Sequence, residues 1–343
     1  MFLKNTILSY PVLLITSTQK SFEALGEIIG KTGKTIARWL KPAPDCYEVL
    51  EKLAIKEFSQ KKKLTLIFDD TLIRKVHSKF MEGSGRFYDT QWFRRIMGYK
   101  VLAAMLTDGS ISIPLTSTFL FAKELVPNAK DLKFEWLKKI ILHVKNTFSK
   151  IDFIVTADGF FTSERFLQWC IEQNVKAEMR MRSNCVVMYK GKKIAIRDIK
   201  ELRPKGRQKA RTIKVTWHDI PLYITAELRI NKNGKKTVVF QASTFYAKPI
   251  QHVKIYQTRW RIEMMFRTSK QHLGLQGCFS RKMEIQESHV ASVFLAYALL
   301  QLDRKKTKLP SPEAALKAAK RKKGKVLDAY ISRLDRFISD ACV

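Results

Sequence analysis

Negative charge is scarce in this sequence of 343 residues. Its 31 Asp and Glu stand against 64 Lys and Arg, which gives a formal net charge of +33. Such an excess is unusual for a metabolic enzyme and makes a polyanion the expected partner, nucleic acid being the commonest one. Hydrophobic residues still make up 45% of the chain and aromatic residues 11%. The charge therefore belongs to a folded protein with a sizeable core, because a disordered basic tail would be much less apolar.

Long apolar runs are missing as well. The longest candidate, residues 291–302, is too short to cross a bilayer. An apolar stretch at residues 7–15 is interrupted by Pro11 and preceded only by Lys4, which argues against a secretory signal peptide. We therefore expect no membrane partner.

Paired cysteines and histidine clusters are also lacking. The five cysteines are scattered, and no two have the short spacing of a zinc site or a redox pair. We expect free, mostly buried thiols in a reducing cytoplasm. The six histidines are equally dispersed, so any bound metal should have oxygen ligands.

The N-terminal region, residues 1–60, reads as helical. Two short amphipathic stretches, residues 21–30 and 34–40, flank a turn that contains Gly33, which predicts a helix-turn-helix. The second stretch carries Lys34 and Arg38 beside apolar residues, as a DNA-contacting helix does. A plain packing role for this helical pair is an equally good interpretation.

Residues 61–184 alternate between strand and helix patterns, which predicts the first part of an α/β core with a mixed sheet and flanking helices. The first strand runs into Asp69 and Asp70, and an Asp-Gly pair at 108–109 predicts a hairpin between the next two strands. The predicted strands are 64–68, 98–106, 110–119, 151–157 and 175–181, and the predicted helices are 134–148 and 163–173.

The remaining chain divides into three regions. Short strands separated by basic turns predict a β-rich insertion at residues 185–248. Residues 249–303 read as core helices, one long helix at 251–270 and another at 287–302. The basic C-terminal tail, residues 304–343, reads as helical and has either a solvated charged face or a contact surface.

Three acidic positions stand out within the basic chain. Asp69 or Asp70 follows the first core strand, Asp158 follows a later strand, and Glu263 lies within the predicted long helix. Acids at strand ends point into the crevice where α/β sheets hold ligands. Each acid alone also has an ordinary explanation, since strand-terminal Asp residues cap turns and helical Glu residues are solvated.

The surroundings of Glu263 favour a functional interpretation. In a single helix, a row of five residues at steps of 3, 4, 4 and 3 would share one face with three cations around one carboxylate. Such a face is a poor core stripe and a good phosphate-binding surface. The row consists of Tyr256, Arg259, Glu263, Arg267 and Lys270.

This pattern resembles the DDE transposases of bacterial insertion sequences that carry the Tyr-Arg-Glu-Lys signature. Tyr256, Arg259, Glu263 and Lys270 match each interval of that signature. The likeness extends to the Asp-x-Thr beginning at Asp69, to an Ala-Asp at residues 157–158 and to a β-rich insertion typical of the cut-and-paste members. It covers roughly residues 60 to 300 and implies a ribonuclease-H-like fold.

The resemblance implies a metal-dependent transposase that cuts the inverted repeats at the ends of its element and joins them to target DNA. Two Mg²⁺ or Mn²⁺ ions would be held by Asp69, Asp158 and Glu263, with Asp70 as the alternative to Asp69. Tyr256, Arg259, Arg267 and Lys270 would bind DNA phosphates, and Trp217 of the insertion is a candidate for stacking on a flipped base. A homodimer in the synaptic complex and a cytoplasmic, nucleoid-associated location in a bacterium are implied too.

The sequence departs from the family at one place and leaves one activity open. Many members have Arg directly after the second Asp, where this chain has Gly159. Any contribution of that Arg to the active site is absent here or comes from another residue. A nuclease or resolvase of the same fold, which cuts DNA without joining it, is the alternative activity.

Overall fold

A computed structural model describes residues 6–40, 45–78, 80–122, 126, 129–231 and 233–342. The chain forms two compact units. Unit 1 comprises residues 1–61, 70–149 and 262–343, and unit 2 comprises residues 62–69 and 150–261. Strand β1 (Lys63–Arg74) passes from unit 2 into unit 1 after Asp69. No helix of the described residues is both long enough and apolar enough to span a membrane.

Unit 1 is largely helical and is built around α9. Most residues of this helix are buried, on all of its sides, as expected for the central helix of a large core. His289 of α9 is fully buried between the hydroxyl of Tyr10 and the carbonyl of Gly274, each 2.9 Å from a ring nitrogen, and burial lowers its pKa to about 4. The helices of unit 1 are α1 (Thr6–Thr16), α2 (Phe22–Ile28), α3 (Gly33–Trp39), α4 (Asp45–Phe58), α5 (Ala129–Thr147), the part of α8 (Trp260–His272) from residue 262 onward, α9 (Met283–Thr307), α10 (Pro312–Lys320) and α11 (Gly324–Cys342).

The strands of unit 1 form an antiparallel ribbon of β2 (Gly85–Asp89), β3 (Arg94–Thr107) and β4 (Ser112–Leu120). The hairpin predicted at the Asp-Gly pair is confirmed between β3 and β4. Asp108 Oδ1 accepts the amide hydrogens of Ser110 and Ile111 at 2.8 Å. Gly109 has φ +89°, a conformation that glycine adopts without steric cost. Strand β2 was not predicted.

Unit 2 contains the other half of the sheet. The first half of β1 pairs in parallel with β5 (Asp152–Ala157), and β5 pairs in parallel with β6 (Lys176–Met181). The predicted β-rich insertion then adds five antiparallel strands, the last of which, β11, lies against β6. Its strands are β7 (Val186–Tyr189), β8 (Lys192–Ala195), β9 (Ala210–Trp217), β10 (Ile220–Ile230) and β11 (Lys236–Ser243), and the order across unit 2 is β1-β5-β6-β11-β10-β9-β7-β8. Helices α6 (Glu164–Glu172) and α7 (Pro249–Gln257) belong to this unit.

The predicted fold class is confirmed: the chain is a mixed α/β protein whose eleven described strands are mostly antiparallel and are flanked by helices. The predicted N-terminal helical pair is present as α2 and α3. Among the described cysteines, Cys46, Cys170 and Cys278 are buried and Cys185 is partly exposed. The side chain of Cys342 lies outside the described residues.

The predicted end of the first strand at Asp69 and Asp70 is wrong. Strand β1 continues to Arg74, and Thr71 and Ile73 are buried beyond the two acids. The alternation of buried and more exposed positions therefore persists past the acidic pair. Both acids lie inside the strand, where successive side chains point to opposite faces of the sheet.

Candidate active site

Two carboxylates come together in unit 2 through strand register. The last parallel pair between β1 and β5 is Phe68 with Ala157, and Asp69 and Asp158 are the next residues on the two strands. Neighbouring strands lie about 5 Å apart, so the two side chains emerge beside one another. Asp158 Oδ1 accepts the amide hydrogen of Phe160 at 2.7 Å, which fixes the turn after β5. Asp69 and Asp158 are 89 residues apart in the sequence, and the pairing of β1 with β5 brings them to adjacent positions.

Asp69 is paired with an arginine of the signature. Arg259 Nη1 lies 2.8 Å from Asp69 Oδ2, and both side chains are largely shielded from solvent. The guanidinium also lies over the ring of Tyr256, 5.6 Å from its centroid. Arg259 thus joins the first carboxylate to the tyrosine of the signature within unit 2.

Asp70 has a different environment from Asp69. Its Oδ1 lies 3.1 Å from Lys100 Nζ of β3, in unit 1. Because consecutive strand residues face opposite sides, one of the two acids lies with Arg259 and the other with Lys100. This arrangement favours Asp69 over Asp70 as the partner of Asp158.

The single long helix predicted at residues 251–270 is wrong. Helix α7 ends at Gln257 and α8 begins at Trp260, with Thr258 and Arg259 between them. Thr258 Oγ1 donates to the carbonyl of Ile255 at 2.6 Å, and its amide bonds the same carbonyl at 3.1 Å. A threonine hydroxyl that competes for a helical carbonyl favours such a break. The five residues of the predicted row therefore do not share one helical face.

Tyr256 is buried near the two carboxylates of unit 2. Its ring is 4% exposed, and its hydroxyl is buried without a hydrogen-bond partner among the described residues. Burial raises the pKa of Tyr256, while Arg259 and Arg180 act to lower it and Asp158 acts to raise it. An unpartnered buried hydroxyl is costly, so this group is suited to a ligand oxygen.

The other three residues of the predicted row lie on α8, in unit 1. Glu263 is in the first turn of the helix, Arg267 is exposed, and Lys270 is in the last turn. Burial, together with the nearby charge of Arg74, lowers the pKa of Lys270 to about 8, and Asp89 and Asp70 oppose this shift. Ile262, Met265 and Phe266 of the same helix are buried.

Arg180 is a cation near Asp158 that the sequence did not single out. Register pairs Ala157 of β5 with Met179 of β6, so Arg180 follows on the strand beside Asp158. The Arg180 carbonyl accepts from Thr162 Oγ1 at 2.7 Å, which ties β6 to the turn after β5. Gly159 therefore has a cationic residue, Arg180, on the adjacent strand.

A buried pair holds α7 against the sheet in unit 2. His252 Nδ1 lies 2.6 Å from Glu178 Oε2 of β6, and both side chains are fully buried. The amide of Ala247 donates to His252 Nε2 at 3.0 Å, so the ring is neutral and donates from Nδ1. Burial raises the pKa of Glu178 to about 7, against the hydrogen bond from His252 that lowers it. His252 precedes Tyr256 by one helical turn, so this pair also positions the tyrosine.

The predicted DNA-contacting residues outside the core are all at accessible positions. Lys34 and Arg38 are exposed on α3 and lie one turn apart, while Ile36 between them is fully buried. Trp217 is the last residue of β9, half-buried, with its ring centroid 5.2 Å from that of His218.

The donor set suits a hard divalent cation in part. Asp69 and Asp158 offer carboxylate oxygens at adjacent strand positions, which Mg²⁺ and Mn²⁺ favour. Within the residues that the structure describes, no group of three or more His, Cys, Asp or Glu side chains is placed to hold a metal ion.

The mixed α/β architecture with flanking helices is consistent with a ribonuclease-H-like transposase fold. A family model described as a transposase DDE domain matches residues 60–299. The match covers more than two thirds of the chain, which therefore belongs to this family. No curated protein matches the chain. Members of the family generally use divalent metal ions.

Proposed function

We propose that this protein is a DNA transposase that binds the ends of an insertion sequence and catalyses metal-dependent strand cleavage and strand transfer. The register of β1 and β5 carries the proposal, because it brings Asp69 and Asp158 to adjacent positions. Arg259 and Tyr256 lie at the same place in unit 2. Family membership supports the same function.

The metal ligands in this proposal are Asp69, Asp158 and Glu263. Two bound Mg²⁺ or Mn²⁺ ions would activate the attacking oxygen and stabilise the leaving one. The residues of the chain then have two tasks, to hold the acids in place and to hold the DNA. Arg259 serves the first by bonding Asp69, and its five donors allow it to bind a phosphate as well.

Phosphate contacts in the proposal come from Tyr256, Arg259, Arg267 and Lys270. The Tyr256 hydroxyl is suited to donate to a phosphate oxygen, because it is buried without a protein partner among the described residues. Positive groups beside the strand position DNA without reading its sequence. The net charge of +33 supports electrostatic binding along an extended stretch of DNA.

Recognition of the element ends is assigned to α3 with Lys34 and Arg38, which are exposed one turn apart. Trp217 of the insertion is proposed as a stacking residue for an extruded base. Two element ends have to be held together before transfer, so a homodimer on DNA is part of the proposal.

Substitution of the proposed metal ligands tests the chemistry. Asp158→Ala or Glu263→Ala should reduce Mg²⁺-dependent cleavage of donor DNA by at least roughly a thousandfold, because several kcal/mol of charge stabilisation are lost. Affinity for the same DNA in EDTA should stay near the wild-type value. Asp152→Ala is the matched control, since Asp152 begins β5, the strand that Asp158 follows, but is exposed and pairs with Lys176. Undiminished cleavage by either ligand variant would remove that residue from the site.

A second reaction separates transposase from nuclease. Wild-type protein is given donor DNA whose 3′-hydroxyl end is already exposed, together with a target plasmid and Mg²⁺. A transposase joins the two molecules, and a nuclease or resolvase of the same fold leaves the donor end unjoined. Cleavage of intact donor without joining of the precut end would establish the alternative activity.

A further inference from the structure

The hairpin that connects β2 and β3 ends in an exposed aromatic and basic surface. We call residues 88–95 the hairpin tip. Asp89 and Arg94 form the last strand pair, and the four residues between them make the loop. Phe93 is 80% exposed, Tyr88 59% and Trp92 43%. These three rings do not serve to fill the core. An exposed apolar cluster rimmed by polar groups marks an interaction site.

The hairpin tip is ordered by its own contacts. Asp89 Oδ1 accepts the amide hydrogens of Gln91 at 2.8 Å and of Trp92 at 3.0 Å. Arg74 of β1 bonds both carboxylate oxygens of Asp89, at 2.6 and 3.2 Å. The loop is therefore held in one conformation before any partner arrives, which lowers the entropic cost of binding.

Phe93 is displayed at a backbone conformation that aromatic residues rarely adopt. Its φ is +51°, in the left-handed region where glycine and asparagine are the usual residues. A bulky side chain that is both strained and exposed lowers stability, and such residues cluster at functional sites. The position therefore favours a role for the ring outside the fold.

The rest of the tip is rich in arginine. The guanidinium carbons of Arg74 and Arg94 lie 4.7 and 5.1 Å from the centroid of the Trp92 ring. Arg86 and Arg95 are exposed on the two strands of the hairpin. Asp89 is the one acid among residues 85–95, and its carboxylate is neutralised by Arg74. The surface is strongly positive with aromatic rings at its apex.

This chemistry fits DNA whose bases are locally unstacked. Nucleobases stack on aromatic rings and arginine planes, and the flanking phosphates pair with guanidinium groups. Apolar side chains also insert between base pairs and hold a kink. A second copy of this same surface fits poorly, because it would place like charges opposite one another.

We propose that the hairpin tip binds DNA at a locally unstacked base step, with the Phe93 ring stacked on a nucleobase and the surrounding arginines on the flanking phosphates. This inference rests on the proposed function in that DNA is the substrate. It assigns a contact to β2 and β3 of unit 1 that neither the signature residues nor the insertion provides.

Two 30-base-pair duplexes of the same sequence, one fully paired and one with a two-nucleotide bulge, test the proposal. Their dissociation constants for the full-length protein are measured by fluorescence anisotropy at one salt concentration in EDTA. Wild-type protein should prefer the bulged duplex roughly tenfold, as stacking of one base on an aromatic ring provides. Phe93→Ala should lose this preference and bind the paired duplex within about twofold of wild type.

Matched variants separate loss of stacking from loss of folding. Phe93→Gly fits the positive φ, so it should keep the fold and still lose the preference. Phe93→Trp should retain the preference. Tyr246→Ala is the control, because Tyr246 is an exposed aromatic residue of unit 2 outside the proposed site, and it should behave as wild type.

Several outcomes overturn the proposal. They are a wild-type protein with no preference, a Phe93→Gly variant that keeps the preference, and equal loss of affinity for both duplexes. Loss of self-association in Phe93→Ala with DNA binding unchanged would assign the tip to a protein contact. Asp158→Ala should prefer the bulge as wild type does, so failure of the tip proposal leaves the proposed catalytic function standing. Absence of any DNA binding by wild type would overturn both.

Discussion

Glu178 offers a direct test of the buried pair that holds α7 against β6. Glu178→Gln keeps the shape of the side chain and removes its charge. The amide oxygen still accepts from His252 Nδ1, but the amide nitrogen takes the place of Glu178 Oε1, which has no partner among the described residues. An unpartnered buried donor costs about 1–3 kcal/mol at every pH.

The pH dependence gives the magnitude of the effect. The ordinary pKa of a glutamate is 4.5, and burial raises that of Glu178 to about 7. An acid with a raised pKa in the folded state stabilises the protein at low pH, and that contribution is lost as the pH rises through the folded value. With 1.36 kcal/mol for each pKa unit, the wild-type free energy of unfolding should fall by about 2.5 kcal/mol from pH 5 to pH 8 through this group. Glu178→Gln removes this contribution to the pH dependence of stability.

Urea denaturation at pH 5 and pH 8 measures the difference. Glu178→Gln should be less stable than wild type at pH 5, and the gap should shrink by about 2.5 kcal/mol at pH 8. Groups away from this pair titrate equally in both proteins, so the comparison isolates the contribution of the buried pair. Glu172→Gln, at an exposed position of α6, is the control and should leave the pH dependence unchanged. Parallel pH curves for wild type and Glu178→Gln would show that this carboxyl is not a titrating buried group.

Two further substitutions address the site acids and the packing of the sheet. Asp69→Asn should reduce Mg²⁺-dependent cleavage by at least roughly a hundredfold more than Asp70→Asn, and the reverse order in a cleavage assay would make Asp70 the metal ligand. Gly98→Ala should lower the free energy of unfolding by about 1–3 kcal/mol, because a Cβ there would lie 2.3 Å from the carbonyl oxygen of Ile73. Gly159→Ala, whose Cβ would meet ordinary contacts from 3.4 Å, is the control in urea denaturation, and equal stability of the two variants would contradict the steric argument.

Local patterns predicted most of the elements in this fold. The Asp-Gly pair predicted the β3–β4 hairpin correctly because the turn depends on local groups alone. The Asp108 carboxylate accepts an amide hydrogen of the turn, and Gly109 adopts its positive φ. Strand β2 has only five residues and an irregular burial pattern, so it carries little periodic signal. The break at Thr258 was missed because helical spacing continues on both sides of it, and a hydroxyl bond to one carbonyl leaves no trace in that spacing.

Only those residues of the candidate site that belong to a local sequence pattern were predicted. Asp69, Asp158 and Glu263 stood out because acids are rare in this chain and the signature spacing is specific. The pair of Glu178 and His252 is separated by 74 residues and neither member has a local pattern. Register between strands and packing of a helix on a sheet bring such groups together, and a single sequence does not encode either in a short window.

The parallel pairing of β1 with β5 affects the order in which this protein is assembled. Lys63 meets Asp152, whereas the two strands of the β3–β4 hairpin meet after a few residues. Closing the longer loop is entropically more costly, and a ribosome has to deliver all of β5 before it can close. Helix α3, which carries Lys34 and Arg38, leaves the ribosome well before β5. Asp69, Asp158 and Arg259 meet only after most of the chain has been made. A truncated product that ends before residue 150 would therefore carry α3 without the carboxylate pair.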